Sequence, residues 1–464
     1  MNPLLRIAVL LISAAILPLA YAPEGFTWLI LLSWGLFIWA LRDLKPTAAL
    51  MAGFWWGVIS FGIALSWLWI IFDTMALCLF GILACFPGLF AWVFAFAKKR
   101  SLSGVQFAIF AGLTWTALEF IRGELFWLKF PWFGLGLAFT PTPLQAWIGT
   151  YGVTLLISTA LAALVLARKW PALILLFLPV APLPNANEEA GPDSDIDKVS
   201  VTCVQLEGRP LEDLIALSKT ADPKPTHLVW PEYSIPTDLR QVAKRDLATI
   251  QAFLKETDST LTVGTQTFIR EADWQNTALT LTAAEILGAH HKQHTVHFFD
   301  DGEPGTSSEA ISVNGILVGT PVCFDSDFQD VVRKMTTAGA RYFVAPTMDA
   351  IHWTERQHLQ HGQLFQARAA ENGRWIAVAA SSGLTQIIDS TGHVRAQLPL
   401  IEPGVLEGTL TPRTHLTFYT RAGWLLPWVT LGAWILCLIT MIISPRKRQP
   451  VPEDNVGQPI PIAN

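Results

Sequence analysis

Three short stretches of this sequence carry residue types that could act together on a carbonyl group. Val229-Trp230-Pro231-Glu232 is a β-like run ending in a carboxylate, and His291-Lys292 follows another β-like run and opens a loop. Gly319-Thr320-Pro321-Val322-Cys323-Phe324-Asp325 reads as an apolar strand, expected over 316–323, that ends at a cysteine just ahead of a helix. A thiol near its free pKa is mostly protonated at neutral pH and reacts slowly. A carboxylate beside it can accept its proton. An ammonium beside it can stabilise the thiolate and then the oxyanion of a tetrahedral intermediate. Attack of cysteine on an ester or amide carbonyl gives a thioester, which splits one hard step into two easier ones. Each residue also has a bland reading: Glu232 as a surface carboxylate, Lys292 as a solvated loop lysine, Cys323 as a buried core thiol. The order Glu, Lys, Cys, each at a strand end, is far more specific, because such ends bring their loops together at one sheet edge.

The elements that must position these residues lie between 198 and about 412, where β-like and helix-like runs alternate. Strands are expected over 199–205, 227–230, 260–266, 277–283, 309–313, 341–346, 375–380 and 384–388, with helices over 239–256, 327–339 and 355–372. Interleaving of this kind predicts an α/β layered domain. A Pro- and Asn-rich stretch, Pro182 to Pro192, separates it from what precedes.

What precedes is a different kind of chain. The whole sequence has 52% hydrophobic and 15% charged residues, with 20 Trp and 27 Phe, whereas a soluble protein carries about 25% charged residues. A helix needs roughly 20 mostly apolar residues to cross the hydrocarbon core. Eight spans are expected, near 4–22, 26–41, 48–71, 75–97, 104–122, 146–167, 170–184 and 422–443. With the N-terminus in the cytoplasm, every cytoplasmic loop is basic: Arg42 and Lys45; Lys98, Lys99 and Arg100; Arg168 and Lys169; Arg446, Lys447 and Arg448. The polar domain then lies outside the cytoplasm. Residues 1–22 end in Ala20-Tyr21-Ala22, which is shaped like a signal-peptide cleavage site, but Arg6 is the sole basic residue ahead of it, and a retained helix is expected. The chain thus divides into a membrane domain over 1–184 with about seven transmembrane helices, a linker over 185–197, an extracytoplasmic catalytic domain over 198–415, a last transmembrane helix over 416–445 and a cytoplasmic tail over 446–464.

Other charges and cysteines need weighing. A net charge of −5 suggests no nucleic-acid partner. Of the five cysteines, Cys78, Cys85 and Cys437 lie in apolar runs, and Cys203 with Cys323 makes no disulfide framework. After the fifth span come Glu119, Arg122, Glu124 and Lys129-Phe130-Pro131-Trp132. Glu119 and Arg122 share one helix face and can pair. Aromatic anchors are common at membrane interfaces, while charges near a membrane segment are often functional. Glu119, Arg122 and Trp132 are therefore candidates for contact with a lipid head group or substrate. His290, His291, His294 and His297 cluster, but without partners at zinc spacing, and no metal site is expected. His352, His358 and His361 read as helix-surface or pocket-lining residues.

Trp230-Pro231-Glu232, Lys292 and the Cys323 strand resemble the nitrilase, or carbon–nitrogen hydrolase, superfamily. With the membrane spans, the chain is similar to its membrane-embedded branch, the apolipoprotein N-acyltransferases of the bacterial inner membrane. The resemblance runs over roughly 5–443 and is strengthened by Trp115 to Arg122, Phe130-Pro131-Trp132 and Thr417-Phe418-Tyr419-Thr420-Arg421. It implies a four-layered α-β-β-α sandwich and a Glu232, Lys292, Cys323 triad of general base, oxyanion stabiliser and nucleophile, with no cofactor. It also implies transfer of an acyl chain from a phospholipid to the α-amino group of a diacylglyceryl-cysteine lipoprotein. The family carries a second glutamate eight positions after its lysine, where this chain has Asp300, and Tyr-Glu after its cysteine, where this chain has Phe324 and Asp325. Asp300, Phe324 and Asp325 are thus expected to support the site. The interval from Lys292 to Cys323, 31 positions (323 − 292), implies a shortened arm over it. A membrane-anchored amidase or other hydrolase using the same Glu-Lys-Cys site is the alternative. A non-enzymatic lipid binder or scaffold is a third reading, and the intact Glu, Lys and Cys count against it.

Overall fold

A computed structural model of the protein describes residues 2–21, 26–100, 102–181, 198–221, 225–270 and 273–443. Among these, six helices are long and apolar enough to cross a membrane: Pro3–Tyr21, Pro46–Ala64, Met75–Ala97, Gly104–Leu125, Gln145–Ala167 and Gly423–Ile443. The 23-residue Met75–Ala97 is about 35 Å long at 1.5 Å per residue, enough for a hydrocarbon core of about 30 Å. A shorter apolar helix, Phe26–Leu41, packs with them. Small residues let the helices approach. A Cβ on Gly57 would lie 2.6 Å from the Pro87 ring and 2.8 Å from Ala84 Cα, and Gly53 on the same face is as tightly opposed, which is the close-contact device expected where lipid supplies no hydrophobic drive.

The span expected at 170–184 is not a spanning helix among the described residues. The segment forms a six-residue helix, Ala172–Phe177, followed by the single 3-10 turn Leu178–Val180. Pro171 and Pro179 bound this helix, and proline removes the N–H that would carry the ladder further. The linker expected at 185–197, Ala22 of the cleavage-like site, and Arg446, Lys447 and Arg448 lie outside the described residues. The remaining basic loops gather at one end of the bundle, where Arg42, Lys98, Arg100 and Arg168 line one cleft. The polar domain docks at the other end. Arg356 donates to the Ile63 carbonyl at 2.8 Å, and Trp67 Nε1 donates to Gln360 Oε1 at 2.9 Å.

The polar domain is a sandwich of two six-stranded sheets. The first has the order β12-β1-β2-β3-β4-β5, from Val199–Gln205 (β1), His227–Val229 (β2), Thr260–Phe268 (β3), Trp274–Leu281 (β4), Ile286–His291 (β5) and Gly404–Leu410 (β12). The second runs β11-β10-β9-β8-β7-β6, from Ile311–Val313 (β6), Ile316–Gly319 (β7), Tyr342–Thr347 (β8), Ile376–Ala380 (β9), Gln386–Ile388 (β10) and Val394–Gln397 (β11). Alternation along the strands builds the layers. Tyr342 and Val344 of β8 join Val201, Cys203 and Leu406 between the sheets, while Phe343 and Ala345 face outward against Val331, Phe365 and Ala369 of two helices, Asp330–Thr337 and Glu355–Asn372. Helices Leu211–Ser218 and Lys244–Thr257 cover the first sheet through Leu214, Phe253 and Leu254. The result is α-β-β-α.

Two boundaries differ from expectation for local reasons. The helix expected from 239 begins at Lys244, because Asp238 Oδ1 accepts the backbone N–H groups of Arg240 (2.7 Å) and Gln241 (3.3 Å) in a turn. The strand expected to reach Cys323 stops at Gly319; Thr320-Pro321-Val322 leaves the ladder, and Cys323 opens a 3-10 turn, Cys323–Asp327.

Candidate active site

The central pairings β1-β2-β3 and β7-β8-β9 are parallel, and β5 runs in the direction of β3 through two antiparallel pairings. Their carboxyl ends therefore share an edge. Glu232 follows β2, Lys292 follows β5, Cys323 follows β7 and Met348 follows β8. Glycine makes one of these approaches feasible. A Cβ on Gly264 of β3 would fall 2.3 Å from Glu232 Cα, so only glycine admits the Pro231-Glu232 backbone there.

The structure brings Glu232 and Lys292 into contact. Lys292 Nζ lies 2.9 Å from Glu232 Oε1 and 2.9 Å from Asp301 Oδ2, and the lysine is 2% exposed. Asn276, near the start of β4, closes the group, donating to Glu232 Oε1 at 2.6 Å and Asp301 Oδ1 at 2.7 Å. Tyr233 donates its hydroxyl to Asp301 Oδ1 at 2.5 Å. Met348 brackets carboxylate and thiol. Its N–H donates to Glu232 Oε2 at 2.8 Å, and its carbonyl accepts the Cys323 thiol at 3.6 Å. Cys323 has φ +47°, a left-handed conformation that costs a non-glycine residue about 1–3 kcal/mol and persists where the surroundings over-determine it. Asp325 supplies part of that restraint. It accepts His290 Nε2 at 2.8 Å and the N–H groups of Gln293 and His294 at 2.9 Å each, and so ties the cysteine turn to the segment carrying Lys292.

The electrostatics separate the two carboxylates. Burial, then the neighbouring Asp301, raises Glu232 above the ordinary carboxylate range against the pull of Lys292. Burial also acts to raise Asp301, but Lys292 and the Tyr233 hydroxyl outweigh it and hold Asp301 low. Burial alone would lower Lys292; Glu232 and Asp301 together push it well up, so it stays an ammonium. Burial, then Glu232, raises the Cys323 thiol, with Lys292 opposing. At rest the site holds a neutral thiol, a cation, one carboxylate fixed as an anion and one disposed to take a proton. Environments that drive two carboxylates apart assign them different duties.

A cavity of ≈ 430 Å³ opens on these groups. It is lined at once by Glu232, Lys292 and Cys323, by Leu68, Ile71, Phe72, Leu79 and Leu83 of the membrane half, and by Phe298 and Phe299 of the arm after Lys292. Both arm phenylalanines meet Phe72 edge-on, with centroids 5.9 and 5.8 Å away.

The other sequence candidates divide. Trp132 and Phe324 line the cavity. Asp300 lines it too but is exposed; the carboxylate that meets Lys292 is its neighbour Asp301, because the arm turns through positive φ at Phe298 (+70°) and Gly302 (+72°), and counting positions does not follow that turn. Glu119 and Arg122 do not line the cavity. Glu119 accepts the Leu135 N–H at 2.8 Å and the Thr154 hydroxyl at 2.6 Å, and Arg122 donates to the Trp132 carbonyl at 2.8 Å, so both hold the 130–136 loop. Sequence reasoning missed Asn276, Met348 and Asp349. Asn276 carried one usable signal, a buried-strand amide beside the expected lysine loop; Met348 acts through its backbone and carried none.

Behind Cys323, His361 links two more carboxylates. Its Nδ1 is 2.8 Å from Asp349 Oδ1 and its Nε2 is 3.2 Å from Asp327 Oδ1, the latter an ion contact rather than a straight hydrogen bond. Burial, the largest single influence, disfavours the imidazolium, yet Asp349 and Asp327 together raise His361 to about 10.

Comparison with known proteins matches this architecture in both halves. Residues 13–164 match the apolipoprotein N-acyltransferase N-terminal domain, and residues 211–415 match carbon-nitrogen hydrolase. The apolipoprotein N-acyltransferase of Photobacterium profundum is 27% identical over 493 aligned positions, covering 94% of this chain and 94% of that protein. Along nearly its whole length the chain is similar to the apolipoprotein N-acyltransferases. That of Pseudomonas paraeruginosa is 28% identical, covering 91% of this chain and 95% of that protein. Among solved structures, a carbon-nitrogen hydrolase from Helicobacter pylori is 16% identical and covers 54% of this chain and 99% of its own, with a TM-score of 0.42.

Proposed function

We propose that this protein transfers an acyl chain from a phospholipid, through a thioester on Cys323, to the N-terminal amine of a diacylglyceryl-cysteine apolipoprotein. The observation that carries the reading is the cavity, in which Glu232, Lys292 and Cys323 share one space with apolar side chains of the membrane helices. The thiol gives its proton to Glu232, and the sulfur attacks the ester carbonyl of the phospholipid. The negative charge gathers on the carbonyl oxygen beside the Lys292 ammonium. Collapse breaks the C–O bond, Glu232 returns the proton to the departing alkoxide, and lysophospholipid leaves. The lipoprotein amine then attacks the thioester, Glu232 takes the amine proton, the C–S bond breaks, and the proton goes back to sulfur. Asp301, ionised throughout, keeps Lys292 charged and aimed.

The same reading makes residues 198–415 the catalytic unit and sets it on the periplasmic side of a bacterial inner membrane. The basic loops around Arg42, Lys98 and Arg168 mark the cytoplasmic end, and the sandwich docks at the opposite end of the bundle.

The test is covalent. Enzyme given only acyl-labelled phospholipid should become labelled, neutral hydroxylamine should release the label, and Cys323→Ala should take none. A diacylated lipopeptide with a free amine should then receive the chain. Release of free acid that ignores the lipopeptide would mark a hydrolase instead. Folded enzyme with no label on Cys323 would end the acyltransferase reading.

A further inference from the structure

The mechanism needs the thiol and its base held in register, yet they come from different sheets. Glu232 follows β2 of the first sheet, and Cys323 follows β7 of the second. Met348, after β8, touches both. Beyond the β7–β8 pairing and the thiol's own contact with the Met348 carbonyl, one buried side chain ties the Met348 segment to the cysteine turn. His361 of helix Glu355–Asn372 contacts Asp349, the residue after Met348, with one ring nitrogen, and Asp327, the last residue of the cysteine turn, with the other. All three side chains are almost fully buried. Asp349 is further fixed by Gln357 Nε2 at 2.9 Å, and its own N–H donates to Ser381 Oγ at 3.2 Å.

The membrane half closes this arrangement. Trp132 Nε1 donates to Asp327 Oδ2 at 2.5 Å, and its ring stacks on His361 at 5.7 Å with 13° between planes. Trp67 packs on Trp132 at 5.1 Å and hydrogen-bonds Gln360, the residue before His361.

We infer that His361 is a positioning residue, clamping the cysteine turn to the Met348 segment through Asp327 and Asp349, with Trp132 of the membrane half locking the clamp shut. The inference rests on the acyl-transfer reading only for which reaction it serves. The juxtaposition of thiol and base is what it claims to set. A loose clamp leaves the apolar wall from the membrane half in place, so phospholipid still binds, but Cys323 and Glu232 drift apart.

The experiment uses the full-length enzyme in lipid nanodiscs, wild type beside His361→Asn and Trp132→Phe, each with its melting temperature recorded. Two rates are read: alkylation of Cys323 by iodoacetamide, and single-turnover acylation by labelled phospholipid at varied donor concentration. Because displacements of about 1 Å can cost on the order of a hundredfold, His361→Asn should slow both rates about tenfold or more. The half-saturating donor concentration should move far less than the rates, within about threefold, since His361 and Trp132 are two lining residues while the apolar wall of Leu68, Ile71, Phe72, Leu79 and Leu83 is unchanged. Trp132→Phe keeps the ring and loses only the donor to Asp327, and about threefold slowing is expected for one lost hydrogen bond at second remove. Unchanged rates in folded His361→Asn, or a loss confined to donor affinity, would overturn the clamp. If His361→Asn does not fold, unchanged rates in folded Trp132→Phe would overturn it alone. Slower alkylation in the variants with no acylation even of the wild type would sink the proposed function and leave the clamp standing.

Discussion

Two buried charge clusters sit on either side of the boundary between bundle and sandwich, and they have opposite fates. In the sandwich, Glu232, Lys292 and Asp301 bind one another and still present a face to a cavity. In the bundle, Glu119 and Arg122 are just as buried, but the hollow they line is only ≈ 40 Å³ and their polar atoms go to Leu135, Thr154 and the Trp132 carbonyl. Removing charge from water is expensive in both places. The difference is what the charge answers to. The bundle pair satisfies backbone groups of a loop that would otherwise be unpaired in an apolar setting. The sandwich group is satisfied in part by its own members, and so it can respond to a proton or an oxyanion arriving from the cavity. Burial of charge alone does not separate the two clusters; the size of the space each faces, ≈ 430 Å³ against ≈ 40 Å³, does.

The largest effect expected from this contrast is at the base. Glu232→Gln cannot accept the thiol proton, and loss of a general base removes about 100-fold or more of the rate. Acidification should mimic it. Because burial raises Glu232, wild-type acylation should fall as pH drops while still above the ordinary carboxylate range, and the residual rate of Glu232→Gln should not show that fall. Acyl-enzyme formation followed across pH decides it. A Glu232→Gln enzyme that is folded and near wild-type in rate would erase the distinction drawn between the two clusters.

A finer test lies within the arm. Asp301 holds Lys292, and Asp300 is exposed beside it. Asp301→Asn removes one of the two anions around a buried ammonium and lets Lys292 turn wholly to Glu232, masking the base; about a tenfold or greater loss in acylation is expected. Asp300→Ala should stay within about twofold, as exposed substitutions usually do. Steady-state acylation of a lipopeptide by the two variants side by side would invert the assignment if Asp300→Ala proved the weaker enzyme.

These two aspartates also mark where the sequence stopped being readable. That Glu232, Lys292 and Cys323 share one cavity was legible because each follows a β-like run, and strand ends in a layered sheet have predictable neighbours. The four-layer sandwich followed from the family resemblance, and the alternation of Tyr342, Phe343, Val344 and Ala345 realises it. The arm has no such period. Its turns at Phe298 and Gly302 decide which carboxylate points at Lys292, and alignment by counting selected Asp300, the neighbour of the one that meets the lysine. Strands Val394–Gln397 and Gly404–Leu410 were missed because short, half-exposed edge segments carry little apolar signal. His361 was seen only as a helix-surface or pocket residue, since its partners come from residues 12 and 34 positions earlier, Asp349 (361 − 349) and Asp327 (361 − 327).

The smallest expected effect is in the bundle, and it is the one that can return a residue to the site. Arg122 donates to the Trp132 carbonyl at 2.8 Å and lies over the Phe61 ring at 5.5 Å. Arg122→Met keeps length and apolar contact but leaves that buried carbonyl without its donor, a loss of about 1–3 kcal/mol. The enzyme should therefore melt earlier, while its folded fraction acylates Cys323 within about threefold of wild type, because Trp132 remains wedged between Trp67 and His361 by ring contacts on both sides. Thermal melting in nanodiscs, paired with donor titration of the folded fraction, separates the outcomes. An unchanged melting temperature with a raised half-saturating phospholipid concentration would mean that Arg122 meets the head group after all, and the bundle cluster would then be a second reactive surface rather than a brace for the loop.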